Sequence, residues 1–298
     1  MIETFQRELA NGTTLSCRAA GAPGRPLMVF LHGFPEAAFI WDPLLAYFAA
    51  PEHGGFRCIA PNLRGFERSS SPVEVAAYRA HLLVQDIAEL AASENPAGRI
   101  EALVAHDWGG AFGWGFANRF GDRLGRLVII NSPHPGTFAR ELRDNPAQQA
   151  ASAYMNFLAR PDAEALLAAD DFRRLWPFFE GMKAGADGFG WLTDAVKDQY
   201  RAVWRAGLTG GCNLYRVTPI RPGAELPELP RERLTVDRPT LVLWALDDVA
   251  LLPGLLDGLE AYVPRIDIRR VPGATHWIVH ERPLFVAGEI EAFLQRPQ

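Results

Sequence analysis

The chain predicts an α/β fold: a mostly parallel central sheet flanked by helices, with a helical segment inserted into it. Three observations carry this. Short apolar runs recur at Leu27–Leu31, Arg57–Ala60, Leu103–Ala105, Leu127–Ile130, Thr240–Ala245 and Ile266–Val271. Most are followed by a loop and a helix-like pattern, as at Val84–Ala92 and Gly110–Phe120, which is the rhythm of parallel strands joined by crossover helices. Between about His134 and Thr235 that rhythm stops.

Taken in order, the first element is a hairpin. Asn11-Gly12 separates two strand-like runs, Thr4–Leu9 and Thr13–Arg18. This predicts a tight type I′ turn with positive φ at both central residues and an antiparallel start to the sheet. The alternating segments follow. The stretch after His134 then holds helix-like patterns and many aromatics, among them Tyr154, Phe157, Trp176, Phe179, Tyr200, Trp204 and Tyr215, without convincing strands. Most of these aromatics are expected to pack with one another in the segment's own core. A Pro-rich run, Pro219–Pro230, leads back to the strand at Thr240. The expected division is a core domain of residues 1–133 and 235–298 and a helical cap of residues 134–234.

Composition narrows the function. With 298 residues, 48% hydrophobic and 22% charged, the chain can bury a large core. The net charge is −5 with no long basic run, which argues against nucleic acid or a membrane surface as partner. No apolar stretch has the length of a membrane span. The start, Met1-Ile2-Glu3-Thr4, has no charged-then-apolar leader. Cys17, Cys58 and Cys212 are scattered and odd in number, so a reducing, cytoplasmic location is expected rather than disulfides or a metal site. Neither a heptad nor a self-complementary patch stands out, which leaves monomer and homodimer both open.

The chemistry concentrates at Leu103-Val104-Ala105-His106-Asp107-Trp108-Gly109-Gly110. It reads as a buried strand, a sharp turn and the start of a helix. Ala105 and Gly109 stand two before and two after Asp107, the spacing of a nucleophile elbow, in which a strained backbone tolerates only small neighbours. Serine usually holds the central position; here it is a carboxylate. A carboxylate nucleophile forms an alkyl ester when it opens a carbon–oxygen or carbon–halogen bond, which points to epoxides or alkyl halides. An Asp before a helix can also serve simply as a cap for free N–H groups.

Other positions complete a constellation. After Leu27–Leu31 comes His32-Gly33-Phe34-Pro35-Glu36; the Phe34 and Trp108 backbone N–H groups are candidates for an oxyanion hole. His32 is expected to hold this loop rather than to react. His276, just after the last strand-like run, is the candidate general base. His280, four residues on, competes with it but is expected on a helix surface. A carboxylate to orient the base comes from Leu246-Asp247-Asp248 at the end of Thr240–Ala245; either Asp247 or Asp248 suits on spacing alone.

These residues resemble the α/β-hydrolase superfamily over nearly the whole chain, and within it the soluble epoxide hydrolases and their dehalogenase relatives. The matching segments are His32 to Glu36, Pro61-Asn62-Leu63-Arg64-Gly65-Phe66, His106 to Gly110, Trp244 to Pro253 and His276-Trp277. The resemblance selects Asp248 as the acid. It also implies two cap tyrosines that hold and protonate the epoxide oxygen, at Tyr154 and in Asn213-Leu214-Tyr215-Arg216. Two departures stand out: Asn62 replaces the family's Asp and Glu67 a usual Gly, so a local loop adjustment is expected.

The expected activity is therefore ether-bond hydrolysis of a small apolar or aromatic epoxide by water, without metal or cofactor. Substrate contacts are expected from Phe34, Trp108, Tyr154 and Tyr215. The alternative is a haloalkane or haloacetate dehalogenase with the same nucleophile. Haloalkane dehalogenases resemble the chain at Trp108, but many carry Asn at the position of Phe34 and an acid at that of Asn131. Fluoroacetate dehalogenases resemble it in the lid, but have Arg at the position of Trp108 and a His-Trp pair at that of Tyr154-Met155. A ligand receptor on the same fold is a further class; the complete Asp–His–Asp set argues against it.

Overall fold

The computed structural model describes residues 1–180, 190–226 and 230–296. Its strands are β1 Glu3–Glu8, β2 Thr14–Ala20, β3 Leu27–Leu31, β4 Arg57–Pro61, β5 Ile100–His106, β6 Leu124–Ile130, β7 Thr240–Ala245 and β8 Ile266–Val271. They form one 8-stranded sheet in the order β1-β2-β4-β3-β5-β6-β7-β8. β1 and β2, and β2 and β4, run antiparallel; every later pairing is parallel.

Every residue of β3, β4, β6 and β7 is buried. Parallel strands need crossovers, crossovers cover both faces, and so these strands read as largely apolar runs, with Arg57, Arg126 and Thr240 near their starts. Within a run, side chains still alternate between faces. Met28 and Phe30 of β3 pack with Trp41, Leu45 and Phe48, next to the helix Pro283–Leu294. Leu27, Val29 and Leu31 point to the other face, with Leu83 and Ile87 of the helix Ala80–Glu94 and Phe112 and Phe116 of the helix Trp108–Arg119.

The hairpin turn differs from the predicted type I′. Gly12 has φ +81°, whereas Asn11 is not left-handed. The Gly12 N–H donates to the Leu9 carbonyl at 3.0 Å and the Leu9 N–H to that of Thr13 at 2.8 Å. The connection is thus one residue longer, with only its last position left-handed. The Asn11 side chain explains the choice. Its carbonyl accepts from the Thr13 N–H at 2.9 Å and its amide donates to Asp86 at 2.8 Å, tying the turn to the helix Ala80–Glu94.

Between β6 and β7 the described residues are helical, from Pro135–Asp144 to Thr209–Val217, and contain no strand. Leu158, Leu167, Phe179, Tyr200, Trp204 and Leu214 fill this insertion and join the core on one face of the sheet. Residues 227–229 of the Pro-rich run lie outside the described residues. No helix among the described residues is long and apolar enough to cross a membrane. The loops after β3, β5, β6, β7 and β8 all leave the same sheet edge, beneath the inserted helices, where open α/β sheets bind ligands.

Candidate active site

Asp107 follows β5 directly and has φ 51° and ψ −123°, a strained conformation for a residue with a side chain. Packing holds it there. A Cβ on Gly109 would overlap the Leu31 carbonyl, and one on Gly33 would overlap the Asp107 carboxylate. The small residues are what let the helix Trp108–Arg119 and the β3 loop close on the turn. The Ser132 hydroxyl donates to the Asp107 carbonyl at 2.6 Å. The Asp107 side chain does not cap the helix that follows. Its Oδ1 accepts the Phe34 N–H at 2.8 Å, and Oδ2 lies 3.7 Å from His276 Nε2.

His276 and Asp248 meet across the loops after β8 and β7. His276 Nδ1 is 2.7 Å from Asp248 Oδ2. The Asp248 carboxylate also accepts from the Asn131 side chain at 2.8 Å and from the Ala250 and Leu251 N–H groups at 2.9 and 3.0 Å. Burial opposes its charge, but His276 and these donors outweigh it and hold the group below the usual carboxylate range. Burial likewise pushes His276 down, yet the charge and hydrogen bond of Asp248, with Asp107 and Glu36 behind them, raise it to about 9. Asp247, left open beside Asp248 by spacing, does not share this contact.

Tyr154 begins the short helix Tyr154–Leu158 and Tyr215 lies in Thr209–Val217. Their rings are 6.0 Å apart. Tyr215 stands edge-on to Phe34 at 5.7 Å and to Trp108 at 5.1 Å. Burial pushes both phenols up, helped by Asp107 and Asp248 at Tyr154 and by Tyr154 and Asp107 at Tyr215, so both keep their protons as hydrogen-bond donors. A cavity of about 530 Å³ reaches Asp107, Trp108, Tyr154 and Tyr215 between apolar walls such as Phe112 and Phe138. A second, of about 290 Å³, shares Asp107, Tyr154 and Tyr215 and adds Phe34, His276 and Trp277. Both therefore open on the same carboxylate and phenols. The Trp108 amide opens the helix immediately after Asp107.

A family model described as alpha/beta hydrolase fold matches residues 26–283. The chain belongs to the alpha/beta hydrolase family. It is similar to epoxide hydrolase 4 of Mus musculus, at 30% identity over 93% of this chain and 75% of the relative. It is also similar to the AB hydrolase superfamily protein YfhM of Bacillus subtilis, at 32% identity over 96% of each. Among solved structures, the Bacillus megaterium epoxide hydrolase in complex with an inhibitor superposes with a TM-score of 0.88, at 31% identity over 98% of this chain and 100% of that one.

In this hydrolase, His32 is buried and held by its loop. Its Nδ1 lies 2.8 Å from the Gly33 carbonyl and its Nε2 accepts the Leu63 N–H at 3.0 Å. Burial pushes it down to about 4, so it is neutral. The two departures from the family pattern compensate each other. The Asn62 amide donates to Glu67 at 2.7 Å, while its carbonyl accepts the Ala38 N–H at 2.8 Å. An Asp at position 62 would set two carboxylates against each other there.

His280 corrects the sequence reading. It is not on a helix surface: its Nε2 sits 2.8 Å from Glu36 and 2.9 Å from the Tyr200 hydroxyl, and its ring stacks on Trp191 at 4.2 Å. It lines neither cavity that reaches Asp107. Sequence reasoning assigned no role to Glu36, His106 or Ser132, and placed Tyr200 only among the aromatics that pack in the inserted segment. The one available signal was His106, a polar residue at a fully buried strand end.

Proposed function

We propose that this hydrolase opens an epoxide to a vicinal diol through an ester on Asp107. The observation that carries this is the setting of that carboxylate: two protonated phenols and His276 line one cavity with it, and Asp248 holds His276 from behind. Its similarity to epoxide hydrolases supports the same reading.

Asp107 Oδ2 attacks the less hindered or more electrophilic ring carbon, and the carbon–oxygen bond breaks. The departing oxygen takes a proton from Tyr154 or Tyr215; a strained ether is a poor leaving group without that proton. Oδ1 remains the ester carbonyl, held by the Phe34 N–H. Ester formation removes the Asp107 charge, one of the influences that raise His276, and so moves the imidazole toward its neutral, basic form. His276 then takes a proton from water, whose oxygen attacks the ester carbon. The oxyanion is stabilised by the Phe34 and Trp108 N–H groups. Collapse expels the diol oxygen with the proton from His276, and the proton left on the carboxyl of Asp107 restores the phenol.

The helices between β6 and β7 act in this reading as a cap of residues 134–234 over a core of residues 1–133 and 235–298. The apolar cavity walls favour a small apolar or aromatic substrate. Buried, unpaired Cys17, Cys58 and Cys212 support a cytoplasmic location. Trp108 beside Asp107 also suits a dehalogenase, whereas the paired phenols favour the epoxide. The test is a paired assay of purified protein on styrene oxide, 1-bromobutane and fluoroacetate with an Asp107→Ala control. Diol lost in the control is the expected result. Halide release without diol overturns the proposal.

A further inference from the structure

The larger cavity extends well beyond Asp107, and its far end differs chemically from its floor. Trp108, Ala111, Phe112, Gly115 and Asn118 of the helix Trp108–Arg119 all line it. At that spacing they share one face of the helix. Trp108 to Asn118 is about 15 Å along an α-helix. The cavity therefore runs along the helix axis, away from the nucleophile.

Two elements frame the far end. The Asn118 amide donates to the Thr235 carbonyl at 2.8 Å, and His134 Nε2 lies 2.9 Å from the Leu234 carbonyl. These contacts hold the turn Arg231–Arg233 near the end of the helix Trp108–Arg119 and bring Arg233 to the cavity. The helix Ala80–Glu94 packs alongside, so closely that a Cβ on Gly115 would meet Val84 at 3.0 Å. Its start brings Arg79 and His81 to the same cavity.

Charge is divided along this length. Among the described residues Asp107 is the only carboxylate lining the cavity, and it stands at the floor; Arg79 and Arg233 stand at the rim. Both arginines are exposed, and among the described residues neither guanidinium is ion-paired. Glu74 and Glu232, close to them in the chain, do not line the cavity. The helix Ala80–Glu94 adds charge of the same sign. Its start has no side-chain cap and no acidic residue in the first turn, so the positive end of its dipole is uncovered. Between floor and rim the walls are apolar, with Phe112, Phe138 and Val217.

We infer that this cavity takes an epoxide carried on an apolar body whose other end is an anionic group, held at the rim by Arg79 and Arg233. The epoxide rests on the proposed function; the anion subsite does not. Charge sets the orientation. Asp107 repels an anion from the floor and the arginines draw it to the rim, which leaves the uncharged ring facing the nucleophile and the phenols. A guanidinium suits this role because it is always charged and offers forked donors to a carboxylate. The two arginines touch no reacting atom, so they act on specificity. A short neutral epoxide such as styrene oxide spans too little of the cavity to engage them.

The test compares 10,11-epoxyundecanoate with the uncharged 10,11-epoxyundecanamide, for the wild type and the double variant Arg79→Gln/Arg233→Gln. Styrene oxide serves as the control for an intact site. Calorimetry with 10-undecenoate and 10-undecenamide, which have no ring to open, measures the subsite separately. The wild type is expected to favour the acid over the amide by about ten-fold, in KM for the epoxides and in Kd for the alkenes, as two partly exposed charge pairs allow. That preference should vanish in the double variant and shrink with added salt, while kcat on styrene oxide stays at the wild-type value. Equal binding of acid and amide by the wild type overturns the subsite. A preference that survives in the double variant overturns its assignment to these arginines. A wild type that opens no epoxide, yet binds the undecenoate more tightly than its amide, defeats the proposed function while supporting the subsite.

Discussion

Asp248 Oδ2 lies 2.7 Å from His276 Nδ1, while the other nitrogen of that ring stops 3.7 Å short of the Asp107 carboxylate. The short contact orients the ring and fixes which nitrogen faces the nucleophile. The longer one leaves Nε2 beside Asp107 without a tight bond to it. In the proposed reaction, a base held this way favours the second half, when the Asp107 charge has gone into an ester.

The two halves are therefore expected to separate on mutation. Asp107→Ala should abolish diol formation, by at least about 10³-fold. His276→Gln should leave ester formation intact and stall its hydrolysis. Intact-protein mass spectrometry after mixing with styrene oxide should show one substrate mass added to the His276→Gln protein and none to Asp107→Ala. Normal turnover by His276→Gln would remove it from the role of base.

Tyr154 and Tyr215 share the cavity with Asp107. Each single Phe variant should slow ester formation by about 10- to 100-fold, because the remaining phenol still donates; the double variant should lose about 10²–10⁴-fold. Stopped-flow tryptophan fluorescence follows that step. A double variant as fast as wild type would relegate the phenols to packing.

The pH dependence of stability has a defined sign. His276 is raised from 6.5 to about 9 by its carboxylate neighbours, against the opposing effect of burial. Its contribution is complete below the unfolded value near 6.5 and is lost as pH rises through about 9. Urea unfolding of wild type and His276→Gln should therefore converge with rising pH, the difference shrinking by on the order of 3 kcal/mol between pH 6 and 10. A constant difference would contradict the raised value.

Asn131 supports the acid rather than replacing it. It is fully buried with φ 38°; its amide donates to Asp248 at 2.8 Å and its carbonyl accepts the Ala245 N–H at 2.9 Å. Asn131→Ala leaves that N–H without its partner and should cost about 1–3 kcal/mol in urea unfolding. Asp248 keeps its backbone donors, so kcat should fall by less than about ten-fold. A fall in kcat well beyond ten-fold would show that Asp248 depends on Asn131 for its orientation.

The sequence by itself determined the alternation of apolar runs, the helical insertion and the small residues around Asp107, because these follow from side-chain period and backbone sterics, which are local. It also marked Asp107 and His276 by spacing and, through the family resemblance, Tyr154 and Tyr215. Tertiary structure decided the rest. Spacing alone left Asp247 and Asp248 open and the family resemblance selected Asp248; the approach of the β8 loop is what brings it to His276. His280 looks like a surface residue in a short helix until Glu36 and Tyr200, 244 and 80 positions away, enclose it. The hairpin turn lengthened because Asn11 has a distant partner in Asp86. In each case the deciding energy is that of a buried polar group meeting or missing its partner, and which groups meet is a property of the folded chain, not of any window along it.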